Sequence, residues 1–245
     1  MDDPRVILFD LDDTIVDFSW NQAASWRTAC VEFEDQTGVE VERLLTEIRA
    51  AGGRFWADHD RAERGRKDLR AASAKIVAEA LEGVGVRVRS GLPREISERY
   101  RTLREEGMRL FEGATEVLEG LRGEGRRLGL VTNGTGEEQR GKIERFGLER
   151  CFDHIQIEGE FGLGKPHDAA YRHALTSMGA EAATTWFVGD NLEWDVEAPQ
   201  RHGMFGIWVD GSGQGVPEGA AGRPDRIVRH IGELRGRGRG AGERD

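Results

Sequence analysis

Five short apolar runs punctuate the chain and predict buried β-strands. Each is rich in β-branched or aromatic side chains and is followed by turn-forming residues. None alternates strictly between apolar and polar positions, so both faces of each strand are expected to be buried, as in a parallel sheet. In chain order the runs are VILF (6–9), LGLVT (128–132), HIQI (154–157), TWFVG (185–189) and MFGIWV (204–209).

Helical patterns fill the intervals around the last four runs. The segment EGATEVLEGLRGEG (112–125) leads into the second run, and three more helices are predicted over 135–147, 166–179 and 193–202. Alternation of strands and helices is typical of βαβ units and of an open parallel sheet. The sequence therefore predicts a doubly wound, Rossmann-like α/β fold.

The interval between the first and second runs is different, because it contains no convincing strand. Helical spacing of apolar residues appears there instead, for example at Leu69, Ala72 and Ile76. The predicted helices cover 20–37, 40–51, 66–82 and 93–110. This pattern predicts an α-helical cap domain inserted into a loop of the α/β core.

These patterns give a domain organisation. Residues 1–17 and 108–235 are expected to form the core, and residues 18–107 the helical cap. The glycine-rich stretch 211–224 is predicted to be a loop, and residues 236–245 a disordered tail.

Charge and composition narrow the function. The chain has 245 residues, of which 35 are Lys or Arg and 45 are Asp or Glu, so its formal net charge is −10. Such an acidic chain is a poor candidate for binding nucleic acid or an anionic membrane. A phosphate-binding site would have to be made locally positive by a metal ion, a lysine or backbone amides.

The cysteines and the N-terminus bear on location. Cys30 and Cys151 are far apart and form no CxxC pattern, which favours free thiols in a reducing compartment. We see no signal peptide and no apolar run near the ~20 residues of a membrane helix. The sequence predicts a soluble, cytoplasmic protein and leaves its oligomeric state open.

Polar residues follow the predicted strands at the positions where parallel strands meet at one edge of a sheet. Ligand sites in open α/β sheets lie at this edge. Carboxylate oxygens suit Mg²⁺, whereas threonine and lysine suit phosphate oxygens. The residues concerned are Asp10 and Asp12 after the first run, Thr132, Asn133 and Gly134 after the second, Lys165 after the third, and Asp190, Asn191 and Asp195 after the fourth.

Four short motifs carry a family resemblance. They are FDLDDT (9–14), VTNG (131–134), GKP (164–166) and GDNLEWD (189–195). In this order and at these strand ends, they resemble the four motifs of the haloacid dehalogenase-like hydrolase superfamily. The likeness is to the phosphatase branch, whose helical cap follows the first motif. The resemblance implies a sheet in the strand order 5-4-1-2-3.

The resemblance also implies a mechanism for the motif residues. Asp10 would attack phosphorus as the nucleophile, and Asp12 would act as general acid and then as general base. Thr132 and the backbone N–H of Asn133 would hold phosphate oxygens, and Lys165 would offset negative charge. Mg²⁺ would be held by Asp10, the backbone carbonyl of Asp12 and Asp190.

For two further residues, the sequence leaves two alternative roles open. Asp195 would support the metal shell through water or Lys165, or would cap the following helix. Asn191 would contact the metal shell or shape a turn.

Asp12 also bears on the reaction type. True dehalogenases of the family lack an acidic residue at this position, because a halide leaves without a proton. The resemblance therefore favours a magnesium-dependent phosphatase that acts on a small soluble phosphomonoester. Nucleotides, sugar phosphates and phosphoglycolate are the substrate types considered. The alternatives are a phosphomutase acting on a sugar phosphate and a non-catalytic binding protein of the same fold.

Candidate substrate contacts in the cap are the aromatic residues Phe18, Trp20 and Trp56, which could stack on a base or a sugar face, and Arg61, which could contact an anion. Packing in the cap core and a solvated charged surface are the alternatives for these residues.

Overall fold

The computed structural model describes residues 4–87 and 89–235. The described residues form two compact units. One unit contains the residues up to Asp17 and those from Arg109 onward, and the other runs from Phe18 to Met108. Met108, which the sequence assigned to the core, thus falls in the helical unit.

The first unit contains all the strands that the structure describes. Six of them form one parallel sheet in the order β5-β4-β1-β6-β7-β8, and two short strands form a separate antiparallel pair. The strands are β1 Val6–Phe9, β2 Val16–Asp17, β3 Arg109–Leu110, β4 Arg127–Thr132, β5 His154–Ile157, β6 Thr185–Gly189, β7 Phe205–Val209 and β8 Arg226–Val228.

The helices are divided between the two units. The helical unit contains α1 Gln22–Glu32, α2 Glu34–Thr37, α3 Val41–Ala57, α4 His59–Lys67, α5 Leu69–Gly83 and α6 Leu92–Gly107. The sheet unit contains α7 Ala114–Gly123, α8 Gly136–Arg145, α9 Glu158–Phe161, α10 Asp168–Ser177 and α11 Ala198–Arg201, with a π-helical turn over Leu192–Glu197.

The sheet confirms the predicted fold and strand order. β1 lies between β4 and β6, with Ile7 beside Leu128 and Trp186, and every residue of β1 is buried. Numbered in chain order, the five predicted strands lie in the order 5-4-1-2-3. β8 adds a sixth strand, which the sequence did not predict because its three residues include only two apolar ones.

The helical unit has an apolar core of its own, which includes Leu44, Ile48, Val77 and Ile96. Its helices differ from the prediction at their ends. The helix predicted over 20–37 is divided at Phe33, and the one predicted over 40–51 continues to Ala57.

One helix of this unit was not predicted. α4 begins after Asp58, whose carboxylate accepts from the N–H of Arg61 at 2.9 Å. Asp68 does the same for Ala71, so α5 begins later than predicted. Each carboxylate satisfies an N–H that the first turn of a helix leaves without an intrahelical partner.

Among the described residues no helix is both long enough and apolar enough to cross a bilayer. Residues 211–224 contain no helix or strand, as predicted. The predicted tail over 236–245 lies outside the described residues.

Candidate active site

A buried lysine joins two of the predicted motif carboxylates. Lys165 Nζ lies 2.7 Å from Asp10 Oδ1 and 2.6 Å from Asp195 Oδ1. Asp10 directly follows β1, Asp195 lies in the π-helical turn after β6, and Lys165 lies in the loop before α10. The three side chains are at most 10% exposed. Buried charges require partners of opposite sign, and this triad supplies them.

The charges of the cluster do not balance. Carboxylate oxygens of Asp10, Asp190 and Asp195 lie within 4.8 Å of one another, with one lysine between two of them. Burial, opposed by Lys165 and reinforced by Asp195, raises the pKa of Asp10 to about 7. Desolvation and the neighbouring charges of Asp10 and Asp195 raise the pKa of Asp190 to about 8.

The same cluster raises the pKa of Lys165. Burial alone would lower the pKa of Lys165, but the charges of Asp10 and Asp195 outweigh it and hold the pKa above its ordinary value. Lys165 therefore carries one positive charge against three carboxyl groups. Excess negative charge on oxygen ligands suits a hard divalent cation such as Mg²⁺.

Asn133 fixes the backbone that carries this lysine. Its Nδ2 donates to the carbonyl of Lys165 at 2.7 Å, and its Oδ1 accepts from the N–H of Lys165 at 2.8 Å. The sequence predicted a role for the backbone N–H of Asn133 alone. The side chain instead ties the end of β4 to the loop before α10.

Thr132 lies buried at the end of β4, where its hydroxyl accepts from Gln139 Nε2 at 2.6 Å. The same amide nitrogen lies 2.7 Å from the carbonyl of Asn133 and 3.1 Å from Asp12 Oδ2. Gln139, on α8, therefore contacts both the predicted phosphate-binding hydroxyl and the predicted acid-base residue.

Asp12 makes a close ion pair that the sequence did not predict. Lys142 Nζ lies 2.8 Å from Asp12 Oδ1 and 2.7 Å from Oδ2. The Lys142 side chain is 10% exposed and that of Asp12 27%. Lys142 lies 130 positions along the chain from Asp12, so no local pattern pointed to the pair.

In the sequence, Gln139 and Lys142 are marked by their spacing and by their place after VTNG, neither of which separates them from solvated helix residues. They are three residues apart on the helix that begins directly after VTNG, a spacing that places two side chains on one helix face. Both are buried although they are polar, which distinguishes this face from a solvated one.

Asn191 shapes the turn that presents Asp195. Its side-chain oxygen accepts from the N–H groups of Glu193 and Trp194 at 3.1 and 3.0 Å. Its own N–H donates to Asp195 Oδ2 at 3.0 Å. The structure thus gives Asn191 the contacts of a turn residue, and Asp195 accepts from both this N–H and Lys165.

The four predicted substrate residues lie in the helical unit and differ in their contacts. The Phe18 ring lies 3.7 Å from the guanidinium of Arg104. Arg61 pairs with Glu79 and stacks on a neighbouring phenylalanine ring. Trp20 and Trp56 are 49% and 41% exposed, so much of each indole surface is accessible.

The chain belongs to the haloacid dehalogenase-like hydrolase family, whose profile matches residues 4–203. The prediction of this family from its four motifs is therefore confirmed.

Proteins of similar sequence and a solved structure of similar fold agree with this family assignment. The chain is 30% identical to a glyceraldehyde 3-phosphate phosphatase of Pyrococcus furiosus over 210 residues, which covers 83% of this chain and 80% of that protein. It is 34% identical to a phosphoserine phosphatase of Thermus thermophilus over 164 residues, 66% of this chain and 61% of that protein. These relatives support the prediction of a phosphoric monoester hydrolase.

The fold is shared with HAD-hydrolase YfnB of Bacillus subtilis, whose crystal structure was solved bound to magnesium. That structure superposes with a TM-score of 0.74 at 24% identity, covering 95% of this chain and 97% of the other.

Proposed function

We propose that the chain is a magnesium-dependent phosphatase that hydrolyses a small, soluble phosphomonoester through an aspartyl-phosphate. The observation that carries the proposal is the buried triad in which Lys165 contacts Asp10 and Asp195. It places a carboxylate at the end of β1, at the sheet edge where ligands bind, with a fixed positive charge beside it.

In the first step, Asp10 attacks phosphorus. Lys165 contacts its Oδ1, which leaves Oδ2 as the attacking oxygen. A bond forms between Oδ2 and phosphorus while the bond from phosphorus to the ester oxygen breaks. Asp12, in its protonated form, donates a proton to that oxygen, and the alcohol leaves.

In the second step, Asp12 acts as the base and Asp10 is the leaving group. The Asp12 carboxylate takes a proton from water, and the water oxygen attacks phosphorus. The bond between phosphorus and Asp10 breaks, which releases inorganic phosphate and restores the Asp10 carboxylate. Thr132 and the backbone N–H of Asn133 hold phosphate oxygens, and Lys165 offsets the negative charge that gathers beside them.

The donor set fits the proposed metal. Asp10, Asp190 and the backbone carbonyl of Asp12 would hold Mg²⁺, which would neutralise phosphate charge when bound. The raised pKa values of Asp10 and Asp190 mark a carboxyl cluster with too little positive charge. The magnesium named for the structure of the related hydrolase supports this choice.

Asp12 favours phosphoryl transfer over dehalogenation, because only an alkoxide leaving group requires a proton. The relatives named for glyceraldehyde 3-phosphate and phosphoserine support a small phosphate ester as substrate. In the helical unit, the exposed faces of Trp20 and Trp56 are the candidates for reading its non-phosphate part. The contacts of Phe18 and Arg61 within that unit make them weaker candidates.

The test is phosphate release from a panel of small phosphate esters, including three-carbon phosphates, phosphoserine, nucleoside monophosphates, sugar phosphates and phosphoglycolate. Each is assayed with Mg²⁺, with a chelator, and with Asp10→Asn. Release that requires both Mg²⁺ and Asp10 supports the proposal. Conversion of a sugar phosphate without free phosphate would favour a mutase instead, and no reaction of any ester would overturn the proposed activity.

A further inference from the structure

We infer that Lys142 and Gln139 are positioning residues for the reaction, and that α8 acts as the support that aims Asp12 and Thr132 at the phosphoryl group. This inference rests on the proposed phosphatase function. It assigns a catalytic support role to a helix face that carries none of the four motifs.

Lys142 holds the Asp12 carboxylate by both of its oxygens. The ammonium lies 2.8 Å from Oδ1 and 2.7 Å from Oδ2, so it fixes the plane of the ionised carboxylate as well as its position. When Asp12 carries the proton that it gives to the leaving group, the oxygen without the proton keeps the contact with Lys142. Asp12 directly precedes Asp13, whose backbone has a φ of 56°. The Asp12 carboxylate finds its partners Lys142 and Gln139 on α8, outside this turn.

The ion pair between Lys142 and Asp12 is partly shielded from water, which strengthens it. Lys142 is largely buried, although it belongs to a helix with several solvated charges. Charged hydrogen bonds shielded from water are stronger than exposed ones. Because an acid-base residue must lie within hydrogen-bond reach of its proton donor or acceptor, a displacement of about 1 Å can cost roughly a hundredfold in rate.

Gln139 orients the Thr132 hydroxyl, the second group that α8 positions. Its Nε2 donates to the Thr132 hydroxyl at 2.6 Å. That hydroxyl accepts from Gln139 with a lone pair and donates its own proton to the backbone carbonyl of Asn133 at 3.3 Å. This donated bond is long, so the proton can turn to an anionic phosphate oxygen when one is bound. The amide orientation follows from its surroundings, since Nε2 faces three oxygens, on Asp12, Thr132 and Asn133.

The decisive variant is Lys142→Met, which keeps most of the side-chain volume and removes the ammonium. Its effect is measured with two magnesium-dependent substrates. One is an aryl ester, p-nitrophenyl phosphate, whose leaving group departs as a stable anion. The other is an alkyl ester, the best substrate of the panel above, whose leaving group needs a proton from Asp12. A structural defect would lower both activities alike.

The inference predicts unequal losses. Two losses are compared between Lys142→Met and the wild type. One is the loss of kcat/KM on the alkyl ester, and the other is the loss in the single-turnover rate of nitrophenolate release. The first should be about tenfold to a hundredfold larger than the second. Lys142→Arg, which keeps the positive charge, should recover part of the loss. Gln139→Leu should raise the inhibition constant of inorganic phosphate several-fold, because the Thr132 hydroxyl loses its orienting donor.

Two controls make the outcome decisive. Arg140→Met removes a cation from the same helix that pairs with Glu160 away from Asp12, and it should leave both activities unchanged. In a double-mutant cycle, Lys142→Met should cost little when Asp12 is already Asn, because it acts through Asp12.

Equal losses on both esters, or additive effects of the two substitutions, would overturn the positioning role while leaving the phosphatase intact. A wild-type protein inactive on every ester would overturn the proposed function itself, and the positioning role with it.

Discussion

The side-chain amide of Asn133 is paired with the backbone of Lys165 through two hydrogen bonds, one donated at 2.7 Å and one accepted at 2.8 Å. The pairing joins the motif that ends β4 to the motif that supplies the buried cation. A fixed backbone beneath Lys165 helps to hold its ammonium where it contacts Asp10 and Asp195 together. Asn133 thus places a charge that its own side chain does not contact.

Asn133→Ala should therefore weaken catalysis without removing any predicted phosphate contact, because the backbone N–H of residue 133 remains. We expect kcat/KM to fall roughly tenfold to a hundredfold. Leaving the Lys165 amide groups without partners should cost about 1–3 kcal/mol in the free energy of unfolding. Steady-state kinetics and urea denaturation measure the two effects.

A matched control is Gln200→Ala. Its amide also bridges two chain segments, through the carbonyl of Arg223 and the carboxylate of Asp225, both at 2.8 Å. It should lower stability by less, because its two hydrogen bonds are exposed and water can replace them, and it should leave kcat/KM near the wild-type value. Equal losses of activity in the two variants would contradict a specific role for Asn133.

The turn that carries Asp195 gives a second prediction. Asn191→Ala removes the acceptor for two N–H groups, and loss of such a cap costs about 1 kcal/mol of stability. Because Asp195 would be held less firmly, we also expect weaker magnesium binding, measured by titration calorimetry. Asn191→Ser keeps a capping oxygen and should restore most of both properties. Failure of the serine variant to do so would mean that the Asn191 amide acts directly on the metal shell.

The carboxyl cluster predicts a pH dependence of stability in metal-free protein. The pKa values of Asp10 and Asp190 rise from 3.8 to about 7 and about 8 on folding. Between these limits the folded state binds more protons than the unfolded state, so the free energy of unfolding should decrease as the pH rises from about 4 to about 8. A bound divalent cation removes this decrease, because it takes the place of the protons.

Thermal unfolding with Mg²⁺ and with chelator at about pH 5.5 and about pH 8 measures this difference. Mg²⁺ should raise the midpoint more at the higher pH, where it competes with fewer protons. Asp190→Asn should reduce the difference. An equal magnesium effect at both pH values would contradict a cation site built on these carboxyl groups.

The exposed indole of Trp56 gives a prediction for the helical unit. If its face stacks on the substrate, Trp56→Ala should raise KM about threefold to tenfold with little change in kcat. Val31→Ala is a control, since Val31 is another exposed apolar residue of this unit, at 54% exposure. Identical KM values for the tryptophan variant and the wild type would exclude Trp56 as a substrate contact.

The sequence was most informative about the apolar strands and the polar residues that directly follow them. Continuous apolar runs marked five of the six strands of the main sheet, and the polar residues that follow them include the buried triad of Asp10, Lys165 and Asp195. Topology explains this success, because parallel strands bring their carboxyl ends to one edge wherever they lie in the chain. Knowing the strands was therefore enough to bring Asp10, Asp190 and Asp195 together.

Short elements and distant side-chain partners escaped prediction. β2 and β3 have two residues each, too few for any period to appear. α4 begins at a carboxylate cap within a strongly charged segment, with little apolar pattern to mark it. Lys142 and Gln139 resemble solvated helix residues until the fold places Asp12 beside them. The missing information is tertiary, since each pairing spans more than a hundred positions.

The most direct test of the account is to look for the phosphate on Asp10. The magnesium-loaded enzyme is mixed with its best substrate, quenched in acid during turnover, digested and analysed by mass spectrometry. The account predicts one acid-stable, hydroxylamine-labile phosphoryl group on the peptide that contains Asp10, and none in chelator or in Asp10→Asn. An enzyme that turns over rapidly with no phosphoryl group on this peptide would contradict it, provided that none is trapped either when Asp12→Asn is mixed with p-nitrophenyl phosphate, whose leaving group needs no proton.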